Sequence, residues 1–380
     1  MSPGAAGADP VERASLPARL PPAVMPFPVA PRYRIRPDLV RLGHRPEHVD
    51  DPGPASLLRL DDGAPRALAH ALRELADEPS AVRWADPAAE RADWWALATG
   101  IAAALAADGD PRVRTSGPAR GSEASLGSEA SLGSQGALRA DAAPTADGAL
   151  EFPWLGLRVA PDSTLRQLAP DPTTPASLGA LALAAADALA RVPAAARALD
   201  ALRLAIAEDL VVLRRGGPGD GGRAAYLLVA SPSGWDPGGR GGASFADLHQ
   251  PVPHSGPLRA AAGALVDAMA TKGPFIRYVW SLTADDAPSH HPRRHPAAPL
   301  PPDPGDWWLR VERQTTLPLP AQEASAFFIR VLHAPLPSVL TTPARRSRLA
   351  DAVRSMDASL LAYKGLTDRA DALLAWLEAG

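Results

Sequence analysis

The chain has 380 residues, 46% of them hydrophobic, and a formal net charge of -3. That length suffices for one large domain or two modest ones, and the absence of a strongly basic block argues against nucleic acid as a partner. No signal segment and no apolar run long enough to span a bilayer occurs, so we expect a cytoplasmic protein without a membrane partner. There is no cysteine, which excludes disulfides, iron–sulfur clusters bound by this chain and thiolate-ligated heme.

The N-terminal part alternates helical patterns with low-complexity sequence. Residues 1–24, rich in Pro, Ala and Gly, predict a disordered tail, and the remainder, 25–380, is expected to form a single domain. Hydrophobic spacing predicts helices over Ala64–Asp77 and Ala92–Ala107.

A tandem hexapeptide, "GSEASLGSEASLGSQGAL", begins at Gly121. It has no periodic apolar face and is flanked by Pro, Asp and Gly. It therefore predicts a disordered insertion in a surface loop, at about 108–148.

The C-terminal part predicts five strands and several helices. The strand-like runs are β-branched or aromatic, with turn residues between them. They are Glu208–Arg215, Ala224–Ser231, Phe275–Thr283, Trp307–Gln314 and Ser325–His333. The predicted helices are Pro175–Ala190, Ala194–Ala207, Pro257–Thr271 (with Ser255 as N-cap), Pro343–Tyr363 and Thr367–Glu378. Strands joined mostly without intervening helices favour an antiparallel sheet, so the predicted class is α+β. No glycine-rich loop of the dinucleotide type follows a strand, so a bound nucleotide cofactor is not expected.

Three arginines, Arg277, Arg313 and Arg330, alternate into rows of apolar residues on the predicted strands. A buried charge needs a partner. The partner could be an internal carboxylate, such as Glu312, or a bound anionic ligand, for which arginine forks are well suited. Three arginines on one sheet favour the bound anion.

A stiff loop surrounds one histidine. The segment "PSGWDPGGRGGASFADLHQPVP", from Pro232 to Pro253, contains nine glycines and prolines together with Trp235 and His249. Proline fixes φ on the C-terminal side of His249, so its backbone is constrained. His249 is either an ordinary loop histidine or an axial metal ligand held in place by the loop. A histidine-ligated heme is one of several options that the residues leave open.

The other histidines favour structural roles. His290, His291 and His295 lie in a Pro-rich stretch that predicts an exposed surface loop rather than a metal cluster. His333 ends a strand, where a histidine at the edge of the core is the expected role. His254 is expected to cap a neighbouring element or to face solvent.

Several segments together resemble one family. "PSGWDPGGRGGASFADLHQPVP", "RYVWSL" and "WWLRVERQTTLPLPAQEASAFFIRVLHAPL", found in this order between about Glu208 and Leu340, are similar to the heme-dependent oxidative N-demethylases of the dimethylamine monooxygenase type. The chain departs from the family pattern at "LPLP", Leu317 to Pro320, and at "GGRGG" in the Trp235 loop.

The resemblance implies a fold, a cofactor and a reaction. The fold would be PAS-like, an antiparallel sheet flanked by helices, and the cofactor heme b. The protein would use O2 to oxidise a methyl group of a small alkylamine and release formaldehyde. Electrons would come from separate flavin and iron–sulfur reductase subunits. The alternatives are a PAS-like heme-binding or sensor protein without turnover, and a paralogue that has lost heme.

The resemblance also implies roles for individual residues. His249 would be the axial ligand of the iron, Arg313 and Arg330 the partners of the heme propionates, and Trp235 a wall of the ligand loop. Arg277 joins this cofactor-binding set because of its position on an apolar strand row. No catalytic acid or base is identified.

Overall fold

The computed structural model describes residues 23–46, 48–51, 56–110, 112–115, 148–168, 179–216 and 221–379. Residues 1–22 of the predicted tail and the tandem hexapeptide lie outside the described residues, as does most of the predicted insertion.

The described residues form an α+β fold. The strands are β1 (Val40–Arg41), β2 (Arg83–Ala85), β3 (Arg114–Thr115), β4 (Leu150–Phe152), β5 (Leu157–Val159), β6 (Leu165–Gln167), β7 (Asp209–Arg214), β8 (Arg223–Leu228), β9 (Phe275–Thr283), β10 (Trp308–Leu319) and β11 (Ala324–Pro335). The helices are α1 (Ala64–Asp77), α2 (Pro79–Val82), α3 (Arg91–Ala107), α4 (Gly179–Arg191), α5 (Arg197–Ala205), α6 (Phe245–Leu248), α7 (Gly256–Ala260), α8 (Ala262–Thr271), α9 (Leu336–Val339), α10 (Pro343–Arg354), α11 (Ala358–Tyr363) and α12 (Ala370–Ala379).

A seven-stranded antiparallel sheet lies at the centre. Its order is β1-β9-β10-β11-β7-β8-β2, and a smaller sheet has the order β3-β4-β5-β6. The five strands predicted from sequence are all present in the large sheet, so the predicted antiparallel α+β class is confirmed. The two-residue strands β1 and β3 and the three-residue strands β2, β4, β5 and β6 were not predicted, because segments so short carry almost no periodic signal.

The register of the large sheet defines two faces. Gln314 of β10 lies opposite Arg277 of β9 and Ile329 of β11, so these three side chains share one face. We call it the front face. Arg313 lies opposite Tyr278 and Arg330, and this set defines the back face, because neighbouring residues on a strand point to opposite sides.

Helices cover the back face thoroughly. Leu202 of α5 and Ile101 of α3 belong to the same buried cluster as Phe328. Leu349 of α10 and Leu373 of α12 belong to the cluster that contains Trp280. On the front face, α6, α7 and α8 pack over one end of the sheet only, against Val211, Leu213, Phe275 and Phe327.

Two predicted helices are each divided in two. The helix expected over Pro343–Tyr363 stops at Arg354, and α11 begins after Asp357, whose side chain accepts a hydrogen bond from the Leu360 amide. Such an N-cap starts a new helix inside an otherwise helical pattern. The helix expected over Pro257–Thr271 is interrupted at Ala261, and the predicted N-cap Ser255 makes no side-chain capping hydrogen bond.

The glycines of "GGRGG" permit a close approach of the loop to α2 and β2. A Cβ added at Gly238 would lie 1.8 Å from the carbonyl oxygen of Ser80, and one added at Gly241 would lie 2.0 Å from the ring of Trp84. Only glycine leaves room for these contacts. The loop that carries His249 is therefore anchored on the sheet.

Candidate functional site

His249 lies at the C-terminal end of the short helix α6, above the front face. Ser244 caps the start of this helix by accepting a hydrogen bond from the Asp247 amide. The ring nitrogen Nδ1 of His249 is 2.8 Å from the Phe245 carbonyl oxygen, and the two rings stack at 4.3 Å between centroids. A carbonyl only accepts, so Nδ1 carries the proton and Nε2 presents its lone pair. Among the described residues, Nε2 has no hydrogen-bond partner.

The surroundings of His249 favour the neutral imidazole. Burial lowers the pKa of His249, and the positive charge of Arg277 lowers it further, while the bond to the Phe245 carbonyl acts in the opposite direction. A neutral imidazole with its other nitrogen bonded to a carbonyl has the form of a metal-ligating histidine.

Arg277 is the unpaired cation of the front face. Within the described parts of the chain it has no hydrogen bond and no ion pair, and its Nε atom is buried without a partner. Burial lowers the pKa of Arg277, and the more distant charges of Asp38 and Glu312 oppose this. A desolvated guanidinium without a carboxylate is costly, and an anionic ligand would relieve that cost.

Apolar side chains that are only half-buried lie between Arg277 and the far end of the sheet, and we call the surface that they line the cleft. Val279, Ile329 and Val331 on the front face are half-buried, whereas their back-face neighbours Phe328, Arg330 and Leu332 are buried. The amide of Gln314 donates to Glu312 across 2.8 Å and positions that carboxylate on the same face. The cleft therefore offers an apolar floor with one cation and one carboxylate.

Arg310 and His333 close the far end of the front face. Arg310 donates to the carbonyls of Ser231 and Pro288, at 2.7 and 2.8 Å, and lies 3.1 Å from Nε2 of His333. Burial and the charge of Arg310 lower the pKa of His333 to about 2. His333 is thus a neutral acceptor that helps to solvate a buried guanidinium. Sequence analysis missed Arg310, although it lies on the same alternating row as Glu312.

The Pro-rich histidine segment is exposed at His295 and over residues 296–299, as predicted, but two of its histidines are not. His290 and His291 are buried. His291 donates to Asp236 and accepts from the Arg293 amide, while the His290 carbonyl accepts from Gly234. These contacts connect the Trp235 loop to the histidine segment. The sequence pattern could not reveal them, because the two segments are distant from each other along the chain. Among the described residues, no group of three or more histidine or acidic side chains is arranged to hold a metal ion.

Trp235 is half-buried and packs against the apolar cluster of α6 to α8 on the front face. It therefore lies on the same side of the sheet as His249 and Arg277.

Arg313 and Arg330 lie on the opposite side. Arg313 donates to the carbonyls of Ser56 and Leu57, and Arg330 donates to Asp61 at 2.7 Å. Both guanidinium groups are buried with internal partners, so the structure does not bring them together with His249. The strand alternation that placed Arg277 on the front face places these two on the back.

A buried lysine lies beside Trp280, whose side chain is on the back face. The Lys364 ammonium donates to the Trp280 carbonyl and lies 5.0 Å from the ring centroid of Tyr33. Burial lowers the pKa of Lys364 to about 8. Lysine occurs only twice in the chain, and this rarity was the sequence feature that could have drawn attention to Lys364.

The front face of this α+β fold thus carries an imidazole with a free Nε2 and an unpaired guanidinium beside half-buried apolar side chains. Residues 181–374 match the family model described as haem-dependent oxidative N-demethylase, alpha subunit-like. The match covers about half of the chain, and the chain belongs to this family. A search of curated proteins finds no match. No helix among the described residues is long and apolar enough to cross a bilayer.

Proposed function

We propose that this protein binds heme b and uses O2 to N-demethylate a small alkylamine, releasing formaldehyde. The observation that carries the proposal is that two unpartnered groups lie on the same side of the sheet. They are the Nε2 atom of His249 and the guanidinium of Arg277. Membership of the family supports it independently.

The residues present fit a heme. His249 would bind the iron through Nε2, and Arg277 would neutralise a propionate. Val279, Ile329 and Val331 would contact the apolar macrocycle, with Trp235 as a wall of the ligand loop. The chain has no cysteine for covalent attachment, so the heme would be held non-covalently. A group with carboxylates and a flat apolar body matches a cleft that offers a cation at its edge and aliphatic side chains on its floor.

The protein would supply binding, orientation and exclusion of water. When bound, heme supplies the oxidising chemistry at the methyl group. The Phe245 carbonyl keeps the proton of His249 on Nδ1, so Nε2 remains a donor to the metal. Glu312, held by Gln314, would attract the ammonium form of the amine through its carboxylate oxygens. The cover of α6 to α8 would exclude water from one end of the cleft.

The proposal extends to fold and partners. The strands β7 to β11 lie side by side in the order β8-β7-β11-β10-β9, and α6 to α8 come between β8 and β9 in the chain. When β7 is counted as the first strand, this order is 2-1-5-4-3. This order supports the PAS-like fold that the resemblance implies.

A chain without cysteine cannot ligate an iron–sulfur cluster through thiolates, which supports electron delivery by separate flavin and iron–sulfur subunits.

Replacing the proposed ligand tests the heme site. His249→Ala should lose heme, or alter its Soret band in a way that free imidazole reverses, while far-ultraviolet circular dichroism stays unchanged. His254→Ala, five residues along the same loop, is the control and should keep the wild-type spectrum. An unaltered heme spectrum in His249→Ala would contradict the assignment.

Turnover tests the reaction. Formaldehyde release from dimethylamine, with O2 and a supplied reductant, is expected of the wild-type protein and not of His249→Ala. Heme binding without formaldehyde release from any small methylamine would instead favour a heme-binding or sensor protein. Purified protein that takes up no heme at all would overturn the whole proposal.

A further inference from the structure

An extended segment before β1 carries a row of arginines on its outer side. Arg32, Arg34 and Arg36 are exposed, whereas the intervening Tyr33 and Ile35 are half-buried and pack against the core. This alternation is what an extended backbone produces when one side faces the protein and the other faces water. We call the three arginines the arginine ridge.

The ridge is not neutralised by the described part of the chain. None of its three arginines forms a hydrogen bond or ion pair with another described residue. The like charges of Arg32 and Arg36 instead lower the pKa of Arg34. Elsewhere on the surface, by contrast, Arg345 and Arg348 share Asp50.

Positive charge continues along the same edge of the large sheet. Arg41 of β1 is exposed and donates to the carbonyl of the exposed Lys272, just before β9 begins. Asp38 is the acidic residue between the ridge and Arg41. The edge thus carries five basic residues and one acidic residue, on a chain whose formal net charge is negative.

The ridge also adjoins the cleft. The ring of Tyr33 meets that of Trp280 edge-on, with 5.6 Å between centroids, and the Lys364 ammonium lies against Tyr33 from within the protein. Tyr33 is close enough to Arg277 for that charge to lower its pKa, although burial has the larger and opposite effect and raises the pKa of Tyr33 to about 12. The segment that carries the ridge therefore runs close to Arg277 at the edge of the front face.

We propose that the arginine ridge is the docking surface for the acidic face of an electron-donating protein. This rests on the proposed function, because it supposes a redox group in the cleft. Each encounter would transfer one electron from the reduced donor, which becomes oxidised, to the ferric heme, which becomes ferrous. A concentrated basic edge beside the cleft would raise the rate of productive encounter with an acidic partner.

The test compares two triple variants of the full chain with equal loss of charge. In the ridge variant, R32Q, R34Q and R36Q are combined. The control combines R91Q, R166Q and R191Q, which are also exposed but belong to α3, β6 and α4. The probe is an acidic plant-type [2Fe–2S] ferredoxin, with binding of its oxidised form followed by calorimetry and heme reduction by its reduced form followed by stopped-flow absorbance.

At low ionic strength, the ridge variant should bind oxidised ferredoxin about tenfold more weakly than wild type, and reduced ferredoxin should reduce its heme about tenfold more slowly. The rate of heme reduction should also depend less on salt concentration than in wild type. The control variant should stay within about twofold of wild type. Equal effects in both variants, or no salt-dependent binding of ferredoxin by the wild type, would overturn the proposal. Loss of binding to anionic phospholipid vesicles or duplex DNA in the ridge variant, with ferredoxin binding unchanged, would also overturn it.

Failure of the proposed function would look different. If the protein holds no heme, the stopped-flow signal disappears in every variant, while calorimetry still reports whether the ridge binds an acidic protein. A normal Soret band with ferredoxin binding unaffected by the ridge substitutions would reject the docking surface alone.

Discussion

The two faces of the large sheet carry similar residues in opposite situations. On the back face, Arg313 and Arg330 are buried with internal hydrogen-bond partners, and Arg330 is paired with Asp61. On the front face, Arg277 has no such partner among the described residues, and the aliphatic residues around it are half-buried.

The difference separates structural charges from charges that await a ligand. A buried ion pair whose members hydrogen-bond to each other holds the fold together, and its two members depend on each other. A guanidinium that is desolvated without a partner weakens the fold and is explained by a group that binds beside it. The same strands provide both kinds because alternate residues face opposite sides.

The largest effect is expected from breaking the back-face pair. Arg330→Ala would remove the guanidinium 2.7 Å from the buried Asp61 and leave that carboxylate with Arg59 at 3.6 Å, and we expect a loss of about 3 kcal/mol in the free energy of unfolding. Chemical denaturation of the apoprotein measures it. The matched control is Arg277→Ala on the front face, which should change stability by less than about 1 kcal/mol because no ion pair is broken. Equal losses in the two variants would remove the distinction between the faces.

Acid should weaken the fold through His333. Its pKa is lowered to about 2 in the folded protein, against an ordinary value of about 6.5. The unfolded chain therefore takes up a proton below about pH 6.5 that the folded protein does not accept. The stability from this group is fully present above that pH and is lost as pH falls toward 2, by up to about 1.4 kcal/mol per pH unit.

The variant His333→Gln isolates that contribution. Glutamine keeps an acceptor for Arg310 but does not titrate, so the free energy of unfolding should fall less steeply between pH 6 and 5 than in wild type. His44→Gln, at an exposed histidine, should leave the slope unchanged. A slope in His333→Gln equal to that of wild type would show that His333 does not remain neutral in the folded protein.

Arg277→Gln should weaken heme binding while sparing the fold. Loss of one charge-assisted hydrogen bond to a carboxylate corresponds to about a tenfold weaker affinity or more. Heme titration of the apoprotein, followed by the Soret band, measures it. Arg313→Lys is the sharper comparison, since its effect should appear in stability and leave the heme affinity of the folded protein unchanged. A tenfold weaker heme affinity in Arg313→Lys would mean that Arg313 contributes to heme binding after all.

The smallest effect is expected at His254. Its ring nitrogen Nε2 is 2.6 Å from Asp357, a contact that links the loop of His249 to the start of α11. Both side chains are more than half exposed, and exposed pairs contribute little to stability. His254→Ala should therefore leave the thermal midpoint nearly unchanged. A clear fall in the midpoint would mean that this contact holds the ligand loop in place.

Local sequence determined much of the secondary structure. The helix Ala64–Asp77 and the strand Phe275–Thr283 have the bounds that hydrophobic spacing predicts. The stiffness of the segment around His249 and its position in a loop were also readable, because proline and glycine act on their own backbone. The absence of cysteine fixed which cofactor ligation chemistries this chain can use.

Tertiary structure alone decided which arginine is free. All three arginine rows look alike in sequence, but β-pairing assigns Arg277 to one face and Arg313 and Arg330 to the other, and a shift of one residue would reverse the assignment. The partner Asp61 lies 269 residues from Arg330 along the chain. No local pattern encodes a contact at that separation, because it depends on how distant elements pack and on which charges packing removes from water.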